Sequence, residues 1–133
     1  MKTKITVIAQ VQLDAAIDHY FKGGLACAIT LAGAAEELLG GLCKRSGIES
    51  ALDQAVKIKE FPSISPIKER KETLNSIKNA LKHSDRSDQD YVEIVEEEAY
   101  ILIARAIYNL DALKLEHSQN VFKFCSKYLP DNQ

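Results

Sequence analysis

The residues with the clearest potential for chemistry lie in the run Lys78-Asn79-Ala80-Leu81-Lys82-His83. Lys78 brings a cation, Asn79 an amide and His83 an imidazole, and together these groups could bind a phosphate and move a proton. A histidine at the end of a helix is by itself common, because a positive charge there is favourable with the helix dipole. The run therefore leaves two alternatives open, a phosphate site and a solvated helix end.

Basic residues surround this run and could give an RNA phosphate a local binding patch. They are Lys68, Arg70, Lys71, Lys78, Lys82 and Arg86. Lys82 and Arg86 are accordingly candidate binding residues beside the three possible catalytic ones. The acidic residues between positions 88 and 96 could instead neutralise the patch, so the solvated alternative stays open here too.

A carboxylate in an earlier segment is the other candidate. On the helix predicted for residues 25–45, Glu36 lies at the border of the apolar face, whereas Glu37 points to the opposite, wetter flank. An unpaired carboxylate is costly to bury. Glu36 is therefore predicted either to pair with a Lys or Arg of a neighbouring helix or to serve in a site or partner contact.

The elements that must position these residues are helical almost throughout. Apolar residues recur at about 100° per residue in every long segment, and Gly, Pro or polar residues separate the segments. The predicted helices span residues 3–22, 25–45, 49–60, 65–82, 96–115 and 118–128, and residues 91–95 could be briefly extended. We expect one all-α domain over residues 1–133, an antiparallel four-helix bundle with one or two additional short helices. Its predicted core includes Leu31, Leu39, Leu74, Ile77, Leu102, Ala106 and Leu110.

Composition excludes several classes of function. The net charge of −2 over 133 residues gives no overall attraction to polyanions. The three cysteines are widely spaced and have no His at metal-ligand spacing, so we expect no metal site, no cofactor and mostly packed, reduced thiols in a cytoplasmic protein. No uninterrupted apolar run approaches the roughly 18 to 20 residues of a membrane span, so no membrane association is expected.

Two motifs together resemble the HEPN superfamily (higher eukaryotes and prokaryotes nucleotide-binding). They are the run AITLAGAAEELLG at residues 28–40 and the later run from Lys78 to His83, and the resemblance covers about residues 13–115. The resemblance implies a small antiparallel helical bundle, often dimeric. The hallmark of that family is an Arg, then four to six residues, then a His, commonly with Asn just after the Arg. Its active members are metal-independent ribonucleases.

This chain has Lys78 where the family has Arg. Arg presents a planar fork that contacts a phosphate in two places, whereas Lys is a point charge. The resemblance implies that His83 would assist proton transfer between the RNA 2′-hydroxyl and the leaving oxygen, Lys78 would stabilise the phosphate charge and Asn79 would position either group. Glu36 would at most orient them. Two such sites would face each other across a homodimer.

Three functions follow as alternatives. The first is an HEPN-like RNA-binding or RNA-cleaving protein, toxin-like and paired with an antitoxin-type protein. The second is a catalytically inert dimeric interaction or scaffold protein of the same fold, and the third is a small nucleotide-binding module with a pocket between helices. Lys78 favours the second over the first, while Asn79 and His83 favour the first. Ile101 and Tyr108 lie away from the main apolar stripe of their helix and are the residues expected at a dimer interface.

Overall fold

The fold is all-α in a computed structural model that describes residues 1–55, 76–82 and 90–129. Over these ranges no residue forms a β-strand, so the all-α prediction is confirmed. The helices of the described ranges are α1 (Ile5–Phe21), α2 (Leu25–Arg45), α3 (Ala51–Ala55), α4 (Ser76–Lys82), α5 (Glu96–Ala112) and α6 (Gln119–Tyr128). Residues 91–95, predicted as extended, belong to neither a helix nor a strand. The remaining parts of the helices predicted over 49–60 and 65–82 lie outside the described residues.

Three of the helices end in the same backbone arrangement. After α1, the N–H of Gly24 donates to the carbonyl of His19 and that of Gly23 to the carbonyl of Tyr20, with Gly23 at φ +84°. This is a Schellman motif, which needs the left-handed backbone conformation that glycine adopts without strain. Gly47 plays the same part after α2, and Lys114, at φ +59°, does so after α5. Gly23 and Gly47 therefore follow the ends of α1 and α2 because each adopts the left-handed backbone conformation that this motif requires.

The core forms around α2, which packs against α1 on one side and α5 on the other. Small residues on α2, including Ala28, Ala32 and Ala35, are fully buried and let both neighbours approach closely. The predicted core residues Leu39, Leu102, Ala106 and Leu110 are buried, and Leu31 is partly buried at the edge. Leu74 and the side chain of Ile77 lie outside the described part of the chain.

Aromatic rings pack α6 against the last turns of α1 and the first turns of α5. Tyr20 packs edge-on against Phe124 and Tyr128, and Tyr100 contacts the same two rings. The Tyr20 hydroxyl donates to Glu96 Oε1 at 3.3 Å. Burial, together with the negative charge of Glu96, raises the pKa of Tyr20 to about 12. The cluster joins α1, α5 and α6.

By length and composition alone, α2 could cross a membrane. Most of its 21 residues are apolar because the helix lines the core on two sides, with Ala28, Ile29, Ala35 and Leu39 fully buried. A central core helix passes the same test as a membrane span, so the finding is weak evidence for one.

Candidate functional site

Helix α4 brings Lys78 into the interior of the domain. Lys78 is only 1% exposed and is among the largest fully buried side chains of the described residues. Its ammonium Nζ lies 2.8 Å from Glu37 Oε1 and 3.4 Å from Glu36 Oε1. A buried ammonium is costly unless it is paired, and these two carboxylates on α2 supply the pairing.

The stem of Lys78 crosses α2 at a glycine. A Cβ atom added to Gly33 would lie 2.3 Å from Lys78 Cδ and 2.6 Å from Lys78 Cγ, which is much closer than carbon atoms can approach. Only the missing side chain at position 33 leaves room for the lysine methylenes. The absence of a side chain at Gly33 therefore lets the Lys78 methylenes cross α2 and lets the ammonium reach the two glutamates.

Glu36 is the centre of a buried ion-pair network. Its carboxylate accepts from Lys78 at Oε1 and lies 3.0 Å from Arg105 Nη2 at Oε2, so cations from α4 and α5 meet on α2. Glu36 and Arg105 are both buried. Of the two alternatives that the sequence left open for Glu36, the structure shows the pairing with a Lys and an Arg of neighbouring helices.

Asn109 supports this network and was not singled out in the sequence. It is fully buried on α5, where its Nδ2 donates to the backbone carbonyl of Glu36 at 3.3 Å. Its Oδ1 accepts from the N–H of Ala51 at 2.7 Å, which fixes the start of α3. Arg105 and Asn109 are four residues apart and so lie on one flank of α5. This spacing of two polar residues beside the apolar stripe of α5 is the sequence signal that could have identified them.

The outer end of the network is partly exposed. Glu37 Oε2 lies 3.0 Å from Lys82 Nζ, while Oε1 contacts Lys78. Partial burial alone would raise the pKa of Glu37, but the hydrogen bonds and positive charges of Lys78 and Lys82 outweigh it. The pKa of Glu37 therefore lies below its ordinary value, and the carboxylate stays ionised at neutral pH.

The structure brings together part of the predicted site. Lys78, Lys82 and Glu36 belong to one network, with Glu37 as the shared carboxylate between the lysines. Asn79, the neighbour of Lys78 on α4, is partly buried. His83 and Arg86 lie outside the described residues, so the site described here does not include the predicted imidazole.

A cleft of about 250 Å³ opens beside Lys78. It is lined by Glu36, Glu37, Gly40, Gly41, Lys44, Ser50, Leu52, Asp53 and Lys78. Its charged side chains are three carboxylates and two ammonium groups, so the lining as a whole does not attract an anion. Over residues 1–55, 76–82 and 90–129, no group of three or more His, Cys, Asp or Glu side chains could hold a metal ion.

A second groove, of about 370 Å³, contains a Cys, a His and an Asp. His117 Nε2 lies 2.5 Å from Asp111 Oδ1, and Cys125 lines the same groove. Burial raises the pKa of the Cys125 thiol, and the negative charge of Asp111 raises it further. The thiol is therefore protonated and is a poor nucleophile.

The three cysteines are free thiols, as the sequence predicted. Cys43 is buried and Cys125 partly buried, but Cys27 is exposed on α2. Burial raises the pKa of Cys43 as well, with a further contribution from the negative charge of Asp53. The expectation of mostly packed thiols thus holds for two of the three.

Comparison with protein-family models, with curated proteins and with solved structures finds no match to this chain.

Proposed function

We propose that this chain is a non-catalytic helical interaction protein that associates with a second copy of itself. Its fold would be the antiparallel four-helix bundle that the HEPN resemblance implies, with α1, α2 and α5 as the main layers. The observation that carries the proposal is the position of the Lys78 ammonium, which is buried and contacts two carboxylates. A cation that stabilises the interior is not available to a phosphate in solvent.

The energetics of Lys78 support this proposal. To contact an RNA phosphate, the ammonium would have to leave Glu36 and Glu37, which would then be a buried and a half-buried carboxylate without this cation. Removing one partner from a buried ion pair typically costs about 3 to 5 kcal/mol. A single lysine–phosphate contact in water returns much less, because solvent and salt screen it.

The rest of the basic patch is consistent with the same conclusion. Of the six basic residues predicted to form it, Lys78 and Lys82 lie within the described residues, and both contact Glu37. The cleft beside them carries more carboxylates than cations, which disfavours a nucleotide as its ligand. RNA, a nucleotide and an antitoxin-type protein stay predicted partners, and the cytoplasmic location stays a prediction.

A cleavage assay tests the non-catalytic proposal. Single-stranded RNA would be incubated with the wild type, Lys78→Arg and His83→Ala in excess chelator, with a metal-independent ribonuclease as the positive control. We expect no cleavage by any of the three, and equal RNA binding by the wild type and His83→Ala at low salt. Cleavage by the wild type that His83→Ala abolishes would establish the ribonuclease alternative instead.

Lys78→Arg adds a sharper comparison, because its guanidinium restores the planar fork that the HEPN family has and that this chain lacks at position 78. Circular dichroism would first show whether the variant keeps its helical content. Gain of cleavage or of RNA affinity in a folded Lys78→Arg variant would contradict the proposal. Sedimentation of the wild type as a monomer at about tens of micromolar would contradict its self-association.

A further inference from the structure

Helix α1 is apolar on two opposite sides. Its inner side is buried in the core through Ala9, Leu13, Ala16 and Ile17. Its outer side exposes three apolar side chains along the first half of the helix, each more than a third exposed: Val7, Ile8 and Val11. An apolar strip on a helix is normally covered by another element. The outer side therefore has the composition of a contact surface.

Charged residues flank this surface symmetrically. Lys4 precedes Val11 by seven residues, and Asp18 follows it by seven. Seven residues correspond to almost two helical turns, so Val11 and Asp18 lie on one line along α1, and Lys4 is the N-cap residue just before the first turn. Lys4 is exposed and the Asp18 side chain is 53% exposed. The line thus runs from a cation through an apolar centre to an anion at equal spacing.

We propose that two copies of this chain associate through the outer side of α1, with the two α1 helices antiparallel and Val11 at the two-fold axis. The proposal rests on the self-association proposed above and specifies its surface. A two-fold axis at position 11 places Lys4 of each copy opposite Asp18 of the other, and Val7 opposite the small Ala15. These contacts pair opposite charges at both ends of the surface and place a small residue against Val7.

The present partner of Asp18 does not prevent this contact. Lys22 Nζ lies 2.9 Å from Asp18 Oδ2, but this is an exposed pair within one helix, with the Lys22 side chain 72% exposed. Such pairs contribute little to stability, so Asp18 can accept from Lys4 of the second copy without a large loss. A carboxylate can also accept from two ammonium groups at once.

Two other occupants are less compatible with the charges. A lipid surface would be attracted by Lys2 and Lys4, but Asp18 on the same side of α1 would be repelled by anionic headgroups. The exposed side of α5 carries Ile101 and Tyr108, yet α5 has glutamates at its start and no basic residue in its last turn. The Tyr108 hydroxyl also accepts from Gln54 Nε2 within the same chain. Of these two exposed apolar surfaces, on α1 and α5, only the one on α1 pairs opposite charges with a copy of itself.

Sedimentation of the full chain tests the surface. Val11→Lys would bring two ammonium groups together at the axis and should raise the dissociation constant about tenfold or more. Phe122→Lys is the matched control, because Phe122 on α6 is 64% exposed, as Val11 is, and should leave the dissociation constant unchanged. Circular dichroism checks that each variant keeps its helices, which is expected because both positions are exposed.

A charge reversal gives a second and independent readout. Lys4→Glu and Asp18→Lys should each weaken association, because each places like charges opposite one another. The double variant restores both opposite-charge contacts and should regain most of the wild-type affinity. Rescue of this kind is not expected from a merely structural role of Lys4 or Asp18 within one copy, because the two positions are too far apart to contact each other on one helix.

The outcomes separate this inference from the proposed function. If the wild type associates and Ile101→Lys dissociates it while Val11→Lys does not, the α1 surface is wrong and self-association stands. If the wild type is monomeric but binds phosphatidylserine-containing vesicles through Val11, the occupant is a membrane and the inference fails. A monomer without vesicle binding overturns the inference and the proposed self-association together, whereas the non-catalytic proposal depends on the RNA assay alone.

Discussion

The two ends of the ion-pair network use the same chemistry in different surroundings. At the inner end, the Glu36 side chain is 3% exposed and contacts Lys78 and Arg105, whose side chains are also buried. At the outer end, the Glu37 side chain is 48% exposed and contacts Lys82 as well as Lys78. Water can replace a lost partner at the outer end but not at the inner one. Adjacent glutamates of one helix should therefore differ widely in their importance for stability.

The largest effect is expected at the inner carboxylate. Glu36→Gln keeps the shape of the side chain but removes the anion between two buried cations, Lys78 and Arg105. We expect the free energy of unfolding to fall by about 3 to 5 kcal/mol, since breaking a buried ion pair leaves buried charge uncompensated. Urea denaturation followed by circular dichroism measures this change.

The neighbouring substitution Glu37→Gln is the matched control. It removes an anion from the partly exposed end, where Lys82 can turn to solvent and Lys78 retains Glu36. A loss below about 1 kcal/mol is expected at neutral pH. Equal losses for the two variants would mean that the network has no distinct inner and outer ends.

A smaller effect is expected when Lys78 is displaced from the inner end without changing any charge. The Cβ atom of Gly33→Ala would overlap the Lys78 methylenes at 2.3 Å. Overpacking of this kind costs about 1 to 3 kcal/mol. Gly41→Ala is the control, because its Cβ meets no atom within 4 Å. That substitution should stabilise α2 by about 0.5 to 1 kcal/mol, which is the helix preference of Ala over Gly.

Thermal and urea unfolding of both alanine variants measures this difference in sign. Destabilisation by Gly33→Ala alongside stabilisation by Gly41→Ala supports close packing of the Lys78 methylenes against position 33. Stabilisation by both substitutions would show that Lys78 moves aside at no cost, and the inner end would then be as adaptable as the outer end.

The smallest effect concerns pH and the outer carboxylate. Because the pKa of Glu37 is lower in the folded chain than in the unfolded one, its contacts add stability above the unfolded value of about 4.5. This contribution is lost as the pH falls through the lowered pKa of the folded state. The difference in unfolding free energy between wild type and Glu37→Gln should therefore shrink on acidification. It stays below about 1 kcal/mol throughout, because solvent screens a half-exposed group. A difference that grows towards acid pH would contradict this assignment.

Much of the fold could be predicted from the sequence because the signals are local. The apolar stripe of α5 and the glycines after α1 and α2 each depend on neighbouring residues, and they indicate helices and their ends. The pairing of Glu36 was one of two predicted alternatives because its place beside an apolar face is a local property as well.

The position of Lys78 could not be predicted in this way. Its burial depends on Gly33, which is distant in sequence, and on a close crossing of α4 over α2 that no pattern within either helix shows. Lysines near the polar end of a helix are mostly exposed, so the pattern predicted a cation that a phosphate in solvent could contact. Arg105 and Asn109 were overlooked for the related reason that their partners lie on other helices.

The close approach of Gly33 and Lys78 also restricts how this sequence can change over generations. Any side chain gained at position 33 meets the lysine, while a shorter residue at position 78 gives up the contacts of Lys78 with Glu36 and Glu37. Each change alone is unfavourable while the other residue keeps its original identity, so the effects of these two distant positions on stability are not independent. The residues that are tolerated at position 33 therefore depend on the residue at position 78.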